Sequence, residues 1–82
     1  MTRLLSPPAA VEVTISADGT PGFITGEFSG SLDPIARWKV ETEWWNRPVI
    51  REYWKALLNN TFLCELFHDL DSDEWFVERI YD

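Results

Sequence analysis

From Trp38 to Trp44 apolar and polar positions alternate without a break. Trp38, Val40, Thr42 and Trp44 fall on one side, and Lys39, Glu41 and Glu43 on the other. A period of two is that of a strand with one face on a core and one in water. Val11, Val13 and Ile15 alternate in the same way with Glu12, Thr14 and Ser16, and Phe23 to Phe28 forms a second short run. Between these runs, Asp18-Gly-Thr-Pro-Gly22 supplies the conformations a turn needs. Gly30-Ser-Leu-Asp-Pro34 breaks the pattern again, so the long strand is expected over residues 35–45.

Asn46-Arg-Pro48 interrupts that strand. Beyond it, Ile50, Trp54, Ala56 and Leu58 share one face against Arg51, Tyr53 and Lys55. Residues 50–58 also suit a short helix by propensity. The strand reading is preferred because Asn59-Asn60 follows at once, tolerates the left-handed conformations of a tight hairpin, and leads into the apolar run Thr61–Phe67. A further hairpin turn over Asp69–Asp73 precedes a last strand from Trp75 to Tyr81. Residues 1–9, with Ser6-Pro-Pro-Ala-Ala, read as an N-terminal tail, and residues 10–82 as a single small β domain. The expected fold is all-β: a small antiparallel curved sheet, or an SH3-like barrel, of five to six strands. So short a sheet must curl to cover its own apolar face. Trp38, Val40, Trp44, Trp54, Leu66 and Ile80 are the expected core.

At 82 residues the chain is near the size at which one core is self-supporting. Five Trp, five Phe and two Tyr help, since aromatic rings bury much area at little rotamer cost. No apolar run exceeds three residues, far short of a membrane-spanning helix. The opening residues lack the apolar stretch of a signal peptide, and the lone Cys64 has no partner for an internal disulfide, so a cytoplasmic setting is expected.

The net charge of −7 argues against tight, sequence-independent nucleic-acid binding, which relies on many phosphate-neutralising cations. The charge is unevenly spread. Arg37, Lys39, Arg47, Arg51 and Lys55 are five of the seven basic residues, whereas from Glu65 onward seven acids face only Arg79.

Candidate chemistry is sparse. Cys64 and His68 offer a thiol and an imidazole, but on a strand four residues span ~13 Å, beyond hydrogen-bond reach. A packed thiol and a rim histidine account for both. Asp69-Leu-Asp-Ser-Asp-Glu74 has the opening of a calcium loop, yet Glu74 and Ile80 stand where such a loop needs Gly and Glu. An acidic hairpin turn is the plainer reading. Neither a catalytic residue, a metal site nor a cofactor is expected, and the chain is read as non-enzymatic.

What is left is a cluster of aromatic and basic residues: Trp44, Trp45, Arg47, Arg51, Tyr53 and Trp54. Guanidinium planes stack on aromatic faces, and such clusters are enriched at interfaces. The same chemistry receives unstacked bases of single strands. Trp45 falls on the wet side of its strand, where a bare indole is unfavourable unless another surface covers it. Trp45, Arg47, Arg51 and Tyr53 are the expected contact residues.

These residues together resemble a family of small, functionally uncharacterised bacterial domains. The shared pattern is carried here by Pro8-Ala-Ala-Val11-Glu-Val13, Trp38, Trp44-Trp45, Arg51-Glu-Tyr-Trp54, Glu65-Leu66 with Asp69, and Trp75 followed by Arg79-Ile-Tyr-Asp82. Where the family's second strand often carries an aromatic, this chain has Thr25. Similar domains occur alone and at the C-terminus of Y-family polymerase-like mutagenesis (mutasome) proteins, which are thought to act as adaptors. The resemblance implies an adaptor or accessory module in the bacterial DNA-damage response or mutagenesis. Its partner would be a protein such as a DNA-repair or translesion polymerase component, with no membrane involved. Single-stranded nucleic-acid binding through the same face is the alternative, and a homodimer satisfies the same pattern.

Overall fold

The computed structural model describes residues 2–44 and 47–81, the side chains of Trp44 and Arg47 excepted. Six strands follow one another: β1 (Thr2–Ile15), β2 (Pro21–Gly26), β3 (Gly30–Trp44), β4 (Arg47–Leu58), β5 (Phe62–Asp69) and β6 (Glu74–Tyr81). Each pairs antiparallel with the next, and β6 returns to β1, so the sheet closes into a barrel. The all-β expectation therefore holds, and residues 50–58 are strand. Among the described residues no helix is long and apolar enough to cross a membrane.

The turns follow their side chains. Asp18 accepts from the backbone N–H of Thr20 at 3.1 Å and from its hydroxyl at 2.6 Å, and Gly19 takes the positive φ. Asn59 and Asn60 sit at φ 53° and 56°, the left-handed pair of a tight hairpin, closed by Thr61 N–H to the Leu58 carbonyl at 3.0 Å. The Asn59 amide also ties this turn to the start of β3. It accepts from Ser31 N–H at 3.1 Å and donates to the Ser29 carbonyl at 3.2 Å. Gly30 lies beneath it at φ 153°, and a methyl group there would collide with the Asn59 amide. Gly30→Ala is expected to cost about 1–3 kcal/mol through strained backbone and a displaced amide. Urea unfolding checks this, and a loss below ~0.5 kcal/mol would show that the amide does not hold the turn.

Two expectations need correction. Residues 2–9 are not a tail but the first half of β1. Thr2, Arg3 and Leu4 pair with Tyr81, Ile80 and Arg79, and Ala9 with Val77. Pro7 and Pro8 fall where the register slips between Leu4 and Ala9, so their missing N–H groups interrupt no ladder bond. Without these residues β6 would keep an unpaired edge. The second correction concerns β3, which begins at Gly30 rather than Ile35. Leu32 and Pro34 face Leu58 and Ala56, then the register slips by one, and Ala36 faces Lys55. A single extra residue inverts the side on which every later residue lies. Trp38 consequently stands opposite Tyr53, not on the side of Trp54.

The core inside the barrel is built from Val11, Ile24, Leu32, Trp54, Ala56, Leu58, Cys64, Leu66, Val77 and Ile80. Of the expected core, Trp54, Leu66 and Ile80 are there. Trp38 is 39% exposed, and Val40 is half-buried on the outer side. The Trp44 side chain lies outside the described residues. Packing within the barrel pushes the Cys64 thiol up to about 11, which makes it a poor nucleophile.

The β3–β4 hairpin outruns the barrel. Its pairing continues to Trp44 and Arg47, whereas β5 reaches only as far as Arg51. On its other side β3 pairs with β2 only at Ser31 and Gly30, and among the described residues it touches no other strand.

Candidate aromatic and arginine interface

Successive strand residues point to opposite sides of a sheet. With Trp54, Ala56 and Leu58 turned inward, Arg51, Tyr53 and Lys55 face outward. The register then sets Trp38, Tyr53, Phe67 and Phe76 directly opposite one another on β3, β4, β5 and β6. They form a continuous aromatic row across the outside of the barrel. Trp38 stacks on Tyr53 with centroids 5.5 Å apart and planes 9° from parallel. Tyr53 leans on Phe67 at 5.3 Å, and Phe67 on Phe76 at 5.2 Å. Aromatic cross-strand pairs stabilise a sheet beyond their buried area.

The row is graded in exposure. Phe67 is only 2% exposed although it points away from the barrel core, because Tyr53 and Phe76 flank it and the Arg51 guanidinium lies 4.6 Å above its ring. Tyr53 is half-buried, and Trp38 stands open at the end. Burial pushes the Tyr53 phenol above its ordinary value, more than the neighbouring Arg51 pulls it down, and Glu78 adds to the rise. Tyr53 therefore stays a neutral hydroxyl.

Beyond Trp38, along the hairpin, Val40, Thr42, Val49, Arg51 and Tyr53 line an open groove of about 360 Å³. The Arg51 Nε is shut off from water and has no hydrogen-bond partner among the described residues. An N–H left so is costly. The groove offers an apolar floor, one aromatic wall and a guanidinium seated on the Phe67 ring. That combination suits a peptide carrying an apolar side chain beside a carbonyl or carboxylate.

Of the expected contact residues, Arg51 and Tyr53 are brought together here. Trp45 lies outside the described residues. Arg47 pairs through its backbone with Trp44 at the hairpin end, and its side chain lies outside them as well. Trp38, Val40, Val49, Phe67 and Phe76 were not expected in the site. Alternation along β4 leads from Tyr53 to Val49; the other four join the site through the register between strands, which the sequence pattern does not carry.

A larger cleft of about 920 Å³ opens between the β1–β2 hairpin and the β5–β6 turn. Two of its polar wall residues, His68 and Asp73, already engage each other. His68 lies flat on Trp75 at 4.3 Å, and its Nε2 is 2.7 Å from Asp73 Oδ1. Asp69 accepts from the backbone N–H groups of Asp71 and Ser72 at 3.0 and 3.3 Å. Among the described residues no three His, Cys, Asp or Glu side chains are grouped to hold a metal ion. Cys64 lies between Ala56 and Ile80, and His68 between Glu52 and Trp75, so the thiol and the imidazole are not brought together.

No family model matches this chain, and neither does any curated protein or solved structure.

Proposed function

We propose that the protein is a non-enzymatic interaction module that binds a partner protein through the outer face of the β3–β4 hairpin. The observation that carries this reading is Trp38, a large ring left open at the end of an aromatic row whose other rings are buried or half-buried, beside an apolar groove that ends on Arg51. Exposed aromatic and arginine anchors of this kind supply most of the binding energy at protein interfaces. Trp38, Arg51 and Tyr53 are the proposed contacts from the described residues, joined by Trp45 and Arg47 on sequence grounds. The family resemblance supports a cytoplasmic adaptor role in the bacterial DNA-damage response, with a repair or translesion polymerase component as partner.

The test is capture from lysate of the source cells, with and without DNA damage, each split by nuclease treatment. The wild-type protein is expected to retain a specific nuclease-resistant partner. Trp38→Ala and Arg51→Ala are expected to reduce its recovery at least tenfold, since interface anchors cost ~2 kcal/mol or more when truncated. Trp38→Ala should lower the melting temperature by no more than about 4–8 °C, the equivalent of ~1 kcal/mol in a domain of this size. Recovery that is wholly nuclease-sensitive would point instead to single-stranded nucleic acid, and recovery indifferent to both substitutions would sink the site.

A further inference from the structure

The open edge of β3 is complementary to itself. The register slip beside Ile35 and the end of the hairpin at Trp44 bound an uninterrupted stretch from Ala36 to Trp44 that, among the described residues, is paired on one side only, with β4. On one face of this stretch lie Arg37, Lys39, Glu41 and Glu43 in that order, two cations followed by two anions. On the other lie Trp38, Val40 and Thr42. The midpoint of both rows is Val40.

We propose that two copies of the protein pair antiparallel through this edge, with a two-fold axis at Val40. In that register Arg37 stands opposite Glu43 of the second copy and Lys39 opposite its Glu41, and the symmetry makes each pair twice. On the other face Val40 meets the second Val40, and Trp38 lies beside the second Thr42. Oppositely charged residues facing each other across strands stabilise a pairing, and like charges oppose it.

The alternatives are disfavoured by the same residues. Parallel pairing in register sets every charge against its own copy. Antiparallel pairing centred on Lys39 or Glu41 sets two like charges face to face and leaves another charged residue unmatched. Charges on an edge strand ordinarily block association; arranged in this order they select one register of one partner. The side chains concerned are accessible. Lys39 lies 3.5 Å from Glu41 and Arg37 3.3 Å from Glu52, and Arg37, Lys39 and Glu41 are more than half exposed. Exchanging the exposed Lys39–Glu41 pair for a cross-strand one sacrifices little, whereas Arg37, held by both Glu52 oxygens and lying 5.2 Å over the Trp54 ring, meets the second copy's Glu43 as a further partner. The pairing would join the two outer sheet faces into one, with Trp38 of each copy near the seam. It is independent of the partner-binding reading, since a monomer could use the same aromatic face.

Sedimentation of the full chain tests the proposal. The wild-type protein is expected to dimerise, with a dissociation constant that rises roughly tenfold as salt screens the edge. Arg37→Glu with Lys39→Glu, and separately Glu41→Lys with Glu43→Lys, should each give monomers where the wild type is dimeric. An equimolar mixture of the two double variants should restore the dimer, because every facing pair is then opposite in sign. Val40→Lys, which leaves both charged rows intact but sets two ammonium groups together at the axis, should also be monomeric. A wild-type protein that stays monomeric to millimolar concentration would overturn the proposal. So would a Val40→Lys protein that dimerises like the wild type, or folded double variants that fail to pair when mixed.

Discussion

Trp54→Ala will lower the unfolding free energy by about 3–5 kcal/mol, the range for emptying a buried aromatic site. Trp54 is 4% exposed at the centre of the barrel, opposite Leu66, with Val77 next across the sheet. In a domain whose total stability is of order 5–15 kcal/mol, that is a large share. Trp38→Ala is the matched control: the same substitution, one residue away in the β3–β4 pairing, on a ring that is 39% exposed. It is expected to cost about 1 kcal/mol, mostly from the lost stack on Tyr53. Trp54→Phe is expected to cost about 1 kcal/mol as well. It keeps most of the volume and removes an indole N–H that has no hydrogen-bond partner among the described residues. Chemical denaturation of the three variants decides the matter. Equal losses for Trp54→Ala and Trp38→Ala would mean that both tryptophans are core, and that β3 does not slip register beside Ile35.

That slip is also where the sequence stops being legible. The period of two from Trp38 to Trp44 correctly marks a strand, and the period from Trp54 to Leu58 correctly marks the inward side of β4. Nothing in either pattern says which side of β3 is inward, because Trp38, Val40 and Thr42 would suit a core as well as an interface. The decision is made at Pro34 and Ile35, where Pro34 has no N–H for the ladder and one residue is left over. The turns were easier, since Asn59-Asn60 and Asp18-Gly19 carry their conformations in their own side chains. The first half of β1 was hidden for the opposite reason. Its prolines advertise a loop, and only closure of the sheet against Arg79, Ile80 and Tyr81 holds it in place. Arg51 and Tyr53 could be read as outward-facing from local alternation. Phe67 and Phe76, which support them from β5 and β6, could not, because their place in the site comes from register between strands.

Phe67→Ala is therefore the substitution that joins stability to the site. Phe67 is 2% exposed yet lies outside the barrel core, held between Tyr53 and Phe76 and covered by Arg51. Its removal is expected to cost about 3–5 kcal/mol, comparable to Trp54→Ala, but the two losses differ in kind. Trp54→Ala empties the barrel interior and leaves the outer row with its own contacts. Phe67→Ala takes away the ring on which both Tyr53 and Arg51 rest, so the folded fraction should also bind its partner poorly. Phe67→Leu, which keeps an apolar side chain without the aromatic face, should recover most of the stability but not the cation–π contact worth ~0.5–2 kcal/mol. Stability from denaturation and recovery of the nuclease-resistant partner, measured on the same three proteins at a temperature where each is folded, separate the effects. If folded Phe67→Ala binds like the wild type, Arg51 and Tyr53 are not oriented by the aromatic row. The contact surface would then have to lie further out along the hairpin, toward Val49 and Thr42.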